Sequence, residues 1–305
     1  MDEVFIGLPT FAIDGIIQDY TETFVQFARP FFQTIRLPIQ ATLDLLRDGL
    51  LATPAPVILA LAFLAGWRLT NWRVGLFAVF SGAFIGIIGL WSASMMTLSI
   101  VLTSAMFATI FGVLIGILAS QSEFAWRLIR PCLDIMQSTP SFVYLVPVVM
   151  LFGAGTIPGV IATIAFALPP VVRLTNLGLR EVPGEVVEAQ QAFGATNMQI
   201  LVDVRIPLAL PVIMAGLNQT IMFALVMSTI AAMIGAEGLG LIVLRGIGRL
   251  DVGLATTGGL AIVLMAITLD RITQGIGGSK KQGNGLKDPT KFLSGVLFGK
   301  RHKTA

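Results

Sequence analysis

The sequence predicts an all-α integral membrane protein, and three observations carry that expectation. Hydrophobic residues fill 55% of its 305 positions and charged residues only 12%, whereas soluble domains are roughly a quarter charged. Mean hydropathy is +0.86. The charges are also gathered so that long stretches carry none: between Arg73 and Glu123, Asp134 and Arg173, Arg205 and Glu237, and Asp251 and Asp270. Finally, the arginines and lysines are distributed unequally between the segments joining those stretches.

A spanning helix needs about 20 apolar residues. The first two stretches therefore hold two helices each, and the last two hold one each. The uncharged run Gly49 to Trp67, with Pro54 and Pro56 near its start, adds a first span. The total is about seven spanning helices. Turns are expected at Trp91 to Ser94 and at Gly153 to Gly159, where glycine and proline punctuate.

Orientation follows from the basic residues. With the N-terminus outside, the inner segments hold Arg68, Arg73, Arg127, Arg130, Arg173, Arg180, Arg205 and the basic residues from Arg271 onward; the outer ones hold Arg29, Arg36, Arg47, Arg245 and Arg249. The expectation is a multi-pass chain with its N-terminus outside and its C-terminus in the cytoplasm.

Residues 1–53 read as an extracytoplasmic amphipathic segment. Ile39, Leu43, Leu46 and Leu50 recur at helical spacing with Asp44, Arg47 and Asp48 off that face, and Pro30 and Pro38 are expected to divide the region into short pieces. Such a segment suits the bilayer interface. Residues 54–274 form the transmembrane domain, and 275–305 a basic tail attracted to anionic lipid. The opening "MDEVF" is acidic where a signal peptide is basic, so no cleavable segment is expected.

Several chemistries are missing from the sequence. With Cys132 as its one cysteine and His302 as its one histidine, no metal site and no catalytic residue is expected. There is no phosphate-binding Gly-x-x-x-x-Gly-Lys-Ser/Thr; "GVLFGKRH" has the wrong spacing. The chain is therefore expected to bind no cofactor and to hydrolyse no ATP itself. No ionisable residue falls inside an expected span, which argues against a proton-driven carrier. An ion-coupled secondary carrier relying on backbone carbonyls and hydroxyls stays open as the alternative.

One polar segment interrupts the apolar chain, with Glu181, Glu185, Glu188, Asp203 and Arg205 between two hydrophobic blocks. Read as helix, the three glutamates share a face, and Val186, Ala189 and Phe193 form an apolar stripe beside it. Gly194 can break the run because it lacks a Cβ. A second helix-prone piece, 195–203, follows before Pro207 opens the next span. From pattern alone, this is either a docking element for a cytoplasmic partner or a plain amphipathic loop on the membrane.

The residues of this segment resemble the EAA loop of ABC importer permeases: Glu188-Ala189-Gln190, then Gly194, then Val204-Arg205-Ile206-Pro207. Gln190 stands where the family has its second alanine, and Val204 and Ile206 stand for Ile and Leu. Further blocks, "LDIMQSTPSFVYLVPVVMLFGAG" (133–155), "FALPPVVRLTNLGL" (166–179), "PVIMAGLNQT" (211–220) and "GLGLIVLRGIGRLDVGLATTGG" (238–259), resemble the glycine betaine/proline betaine (ProW-type) permeases over roughly residues 55–275. The resemblance implies a type I ABC importer transmembrane domain in a bacterial inner membrane. Its coupling helix, carried by Glu185, Glu188, Ala189, Gln190, Phe193, Gly194, Val204, Ile206 and Pro207, would fit a cleft in an ATPase subunit. It further implies two ATPase subunits using ATP and Mg, a second copy of this chain, and an extracytoplasmic substrate-binding protein, with the lipid bilayer around them and no nucleic acid. The cargo would be an osmoprotectant such as glycine betaine, proline betaine, choline or trimethylamine N-oxide.

Neutral polar and aromatic residues at membrane depth, Gln137, Thr139, Phe142, Tyr144, Asn218 and Gln219, are candidates for the translocation path; the competing reading is hydrogen bonding between helices. Gly82 and Gly86, and Gly112 and Gly116, have the spacing of close helix packing. The glycine-dense stretch 235–248 is expected to be irregular.

Overall fold

The structure is a computed structural model describing residues 13–276; the basic tail and the acidic opening residues lie outside the described residues. The chain first forms α1 (Ile13–Ala52), α2 (Ala55–Leu69), α3 (Trp72–Ile87), α4 (Trp91–Gln121) and α5 (Glu123–Ser138). A 3-10 turn (Ser141–Tyr144) leads to α6 (Leu145–Phe152) and α7 (Thr156–Arg180). Two short helices, α8 (Gly184–Ala192) and α9 (Asn197–Gln199), precede α10 (Ile206–Ile230), α11 (Leu239–Gly248) and α12 (Val252–Ile276).

Four runs are each long and apolar enough to cross a membrane: α4, α7, Asn197–Ile234 and α12. Two bent pairs, Gln33–Ala52 with α2 (109°) and α5 with Ser141–Phe152 (108°), raise the number to at most six, when each pair is counted as one span. The seventh expected span is α3. Asn71 caps its start by accepting from the Arg73 and Val74 amides, and its 16 residues give about 24 Å against a hydrocarbon core of about 30 Å. Its polar cap cuts it short.

Three further expectations are corrected. Pro30 and Pro38 do not divide the N-terminal region, because α1 runs through both; the Thr42 hydroxyl donates to the Pro38 carbonyl at 2.8 Å. The Ile39 and Leu43 stripe, 4% and 2% exposed, joins the main core, and α1 packs along α4, α6 and α7. The turn expected at Trp91 to Ser94 falls instead just before it, at Gly89, and those residues open α4. Within 235–248 only residues 235–238 are irregular; the rest is α11.

The core is a sandwich of α7 between α4 and α10. Gly116 makes the first contact possible: a Cβ there would lie 2.9 Å from the Val172 carbonyl oxygen and 2.6 Å from the Thr175 Cβ. Backbones approach this closely only where the side chain is absent. Buried hydroxyls mostly turn back into their own helices, as Thr103 to the Ser99 carbonyl and Thr163 to the Gly159 carbonyl, both 2.7 Å.

The helices outrun the charge-free stretches. Arg173 sits within α7 and Asp270 within α12, so ionisable groups do enter the long helices, towards their C-terminal ends. Arg173 pairs with Asp134 of α5 at 2.6 Å, and Asp270 accepts from Asn218 Nδ2 at 2.9 Å.

Candidate functional site

The polar segment forms a corner projecting from the end of α7. Pro183 precedes α8, and Glu185 lies in its first turn, where a carboxylate favours the helix dipole. Val187 alone of the helix is buried; Glu185, Glu188 and Ala189 are exposed, Val186 is 40% exposed and Phe193 87%. The apolar stripe Val186, Ala189 and Phe193 therefore points away from the bundle.

The corner has a defined geometry. Gly194 adopts φ +80°, which costs glycine little and a β-branched residue much. Its amide donates to the Gln191 carbonyl at 2.9 Å, and the Ala195 amide to the Gln190 carbonyl at 3.1 Å. This pair of bonds satisfies carbonyls that a helix end otherwise leaves orphaned. Gln190 contributes its carbonyl oxygen to this turn.

After the corner the chain restarts on a capping box. The Thr196 hydroxyl accepts from the Gln199 amide at 3.4 Å while Gln199 Oε1 accepts from the Thr196 amide at 2.8 Å. The expected coupling residues do not include this pair, although "TNMQ" carries the Thr-to-Gln spacing of such a cap. From there residues 197–230 run on without a break, through a π-helical turn over Ile200–Arg205. Pro207 has no amide to donate back to Asp203, and the Ile206 amide bonds the Leu201 carbonyl instead. The segment has one corner, at Gly194. Val204, 8% exposed, faces inward, and Ile206 packs on Leu179, Ala209 and Ile213. These residues anchor the corner; α8 presents it.

Arg180 ties the base of the corner to the bundle. Its guanidinium donates to Asn176 Oδ1 at 2.9 Å and to the Ala119 carbonyl at 3.0 Å, and pairs with Glu123. One side chain thus joins the ends of α4 and α7 to the start of α5. A crevice of about 440 Å³ lies behind α8, lined by Gln121, Val187, Gln191, Asn197 and Arg205 among others.

The proposed path residues do not form one cluster. Gln137, Thr139, Phe142 and Tyr144 gather at the bend between α5 and α6, with Gln137 exposed and Phe142 57% exposed. Tyr144 stacks edge-on with Phe166 of α7, which stacks edge-on with Phe223 of α10 (centroids 6.2 and 5.6 Å). Gln219 is exposed, one turn before Phe223 on α10. Asn218 is turned to α12, where it bonds Asp270 and Thr273.

With this geometry in place, comparison with known proteins defines the class. Residues 108–277 match the family described as the binding-protein-dependent transport system inner membrane component. The fold is that of a type I ABC importer transmembrane domain: a chain of the inward-facing MetNI methionine ABC transporter aligns with TM-score 0.56 and 24% identity, over 63% of this chain and 94% of that one.

The chain belongs to this permease family. It is 49% identical over 273 residues to the glycine betaine/proline betaine transport system permease protein ProW of Escherichia coli (89% of this chain, 77% of that protein). It is 41% identical over 279 residues to the glycine betaine transport system permease protein OpuAB of Bacillus subtilis (91% and 99%).

Proposed function

We propose that this chain is the membrane-spanning subunit of an ATP-driven importer for betaine-like zwitterions or quaternary amines. It works as a pair with two ATPase subunits and an extracytoplasmic binding protein. The observation that carries the reading is the outward apolar face of α8, Val186, Ala189 and Phe193, held at a fixed angle by Gly194. A surface helix that buries one valine and exposes a phenylalanine at 87% suits a partner's groove better than water.

In this reading the α8 end lies in the cytoplasm, as does the C-terminal end of α12, and residues 235–251 with part of α1 face the binding protein. ATP enters through the partner with its Mg; this chain contributes levers. The ATPase dimer closes on ATP and moves both copies of α8. The continuous run from Thr196 into α10, with the Arg180 clamp, carries that displacement into the α4–α7–α10 core. Inward- and outward-open states then exchange according to their differing affinity for the ATP-bound partner. The relatives' substrates support the cargo class, and Phe142 at the bend offers a π face to a quaternary ammonium.

The test is co-purification of the ATPase together with betaine uptake in proteoliposomes. Gly194→Val and Glu188→Lys should both insert in the membrane, since neither lies in a span. They should lose the ATPase, or keep it with hydrolysis uncoupled from uptake. Wild-type assembly and uptake in both would reduce α8 to a loop on the membrane surface. Uptake by the chain alone, driven by an ion gradient, would favour a secondary carrier.

A further inference from the structure

A crevice of about 130 Å³ with almost wholly apolar walls separates the α2–α3 hairpin from α4 and α12; Leu59, Ala78, Ser81, Trp91, Ser94 and Leu269 are among the residues lining it. Two serines line it. Ser81 and Ser94 are 2% and 1% exposed, and the Oγ of each is buried without a hydrogen-bond partner. Thr97 in the same helix donates to the Ala93 carbonyl, and Thr268, which also lines the crevice, to the Leu264 carbonyl. The hydroxyls of Thr109, Thr175 and Thr220 also lack partners, but those residues do not line this crevice.

An apolar space of this kind does not hold water, and it is far narrower than the 10–12 Å of a helix. Beside it, Leu61, Leu76 and Phe80 are 59%, 54% and 64% exposed on the hairpin, as expected of side chains facing lipid. We propose that the crevice holds the ester-proximal segment of one acyl chain of a bilayer phospholipid, with the Ser94 and Ser81 hydroxyls donating to its ester oxygens and the rest of the chain running on along the lipid-facing side of the hairpin. The heights agree. Trp91 opens α4 and Ser94 ends its first turn, and tryptophan settles at the headgroup level where the esters lie. The occupant holds the α2–α3 hairpin against α12 where protein atoms leave a gap.

Native mass spectrometry of the full-length chain in its isolated complex tests this, after a detergent wash and re-addition of 1-palmitoyl-2-oleoyl phosphatidylglycerol. One phospholipid should be retained per permease copy. Ser81→Leu, which fills the crevice and removes a donor, should lower retention about tenfold, equivalent to about 1.4 kcal/mol. Ser94→Ala should lower it less, and Leu118→Ala, at a 63% exposed site on α4, should leave it unchanged. A second readout does not depend on the filled variant. With Trp67, Trp72 and Trp126 changed to Phe, dibrominated phosphatidylcholine should quench Trp91 fluorescence saturably in detergent. Absence of retained phospholipid, equal retention in Ser81→Leu, or quenching that only rises in proportion to added lipid would overturn the proposal.

Discussion

Where α7 passes between α4 and α10, Val171, Val172 and Thr175 are 0% exposed; beyond the end of the same helix, Phe193 is 87% exposed. Both regions contain a glycine that cannot be replaced freely, for different reasons. Gly116 is needed because another backbone occupies the place of its side chain. A Cβ at Gly194 would meet nothing within 4 Å, so that glycine is needed only for its φ. In the core, helices complete one another's surfaces within a single chain. At the corner, the chain fixes an angle and leaves the surface to be completed by something else.

The comparison breaks most readily at Gly116. Gly116→Val should force α4 from α7 and cost about 3 kcal/mol, at the upper end of ordinary overpacking, read as a lowered melting temperature and loss of monodisperse protein. A variant as stable as the wild type would mean that the two helices are not held at this distance. Next comes Arg180→Ala, which strips two neutral acceptors and one exposed carboxylate. Its cost should be about 1–2 kcal/mol, from two lost hydrogen bonds with little added for Glu123, whose side chain is 68% exposed. Arg180→Lys should recover part of this, since an ammonium cannot fork to the same acceptors. If the clamp also transmits motion, Arg180→Ala should lower uptake per ATP hydrolysed beyond what the loss of folded protein explains.

Gly194→Val should show the opposite balance, with a left-handed residue strained by about 1–2 kcal/mol and coupling lost far out of proportion. The smallest effect belongs to Leu250, which has φ +56° and is 88% exposed in the α11–α12 turn. Leu250→Gly should relieve strain and stabilise the chain by under about 1 kcal/mol, because glycine's greater freedom when unfolded offsets part of the gain. Strain of this kind persists where a surface is shaped for use. A fall in binding-protein-stimulated ATPase activity in this variant would make the outer turn a second surface left for a partner, like α8.

The sequence by itself determined the class, the helix-only architecture and the position of the projecting segment. Each is local: a charge-free run, a hydropathy average, or a glycine after a helical stripe. The corner at Gly194 was legible because its φ is a property of one residue; the capping box at Thr196 and Gln199 is just as local, but it was not among the expected elements. The tertiary structure decided what depends on neighbours. Proline does not by itself fix where a helix stops: α1 continues through Pro38, whereas α5 ends before Pro140 and the chain bends there. Asn218 and Gln219 look alike in sequence, yet one is bonded to Asp270 across a helix pair and the other is exposed. Likewise Arg180, one basic residue among many by composition, joins three helix ends because Ala119, Glu123 and Asn176 converge on it. Partners distant in the chain have no signature in the spacing of residues, and hydrogen bonds and packing between helices are made of such partners.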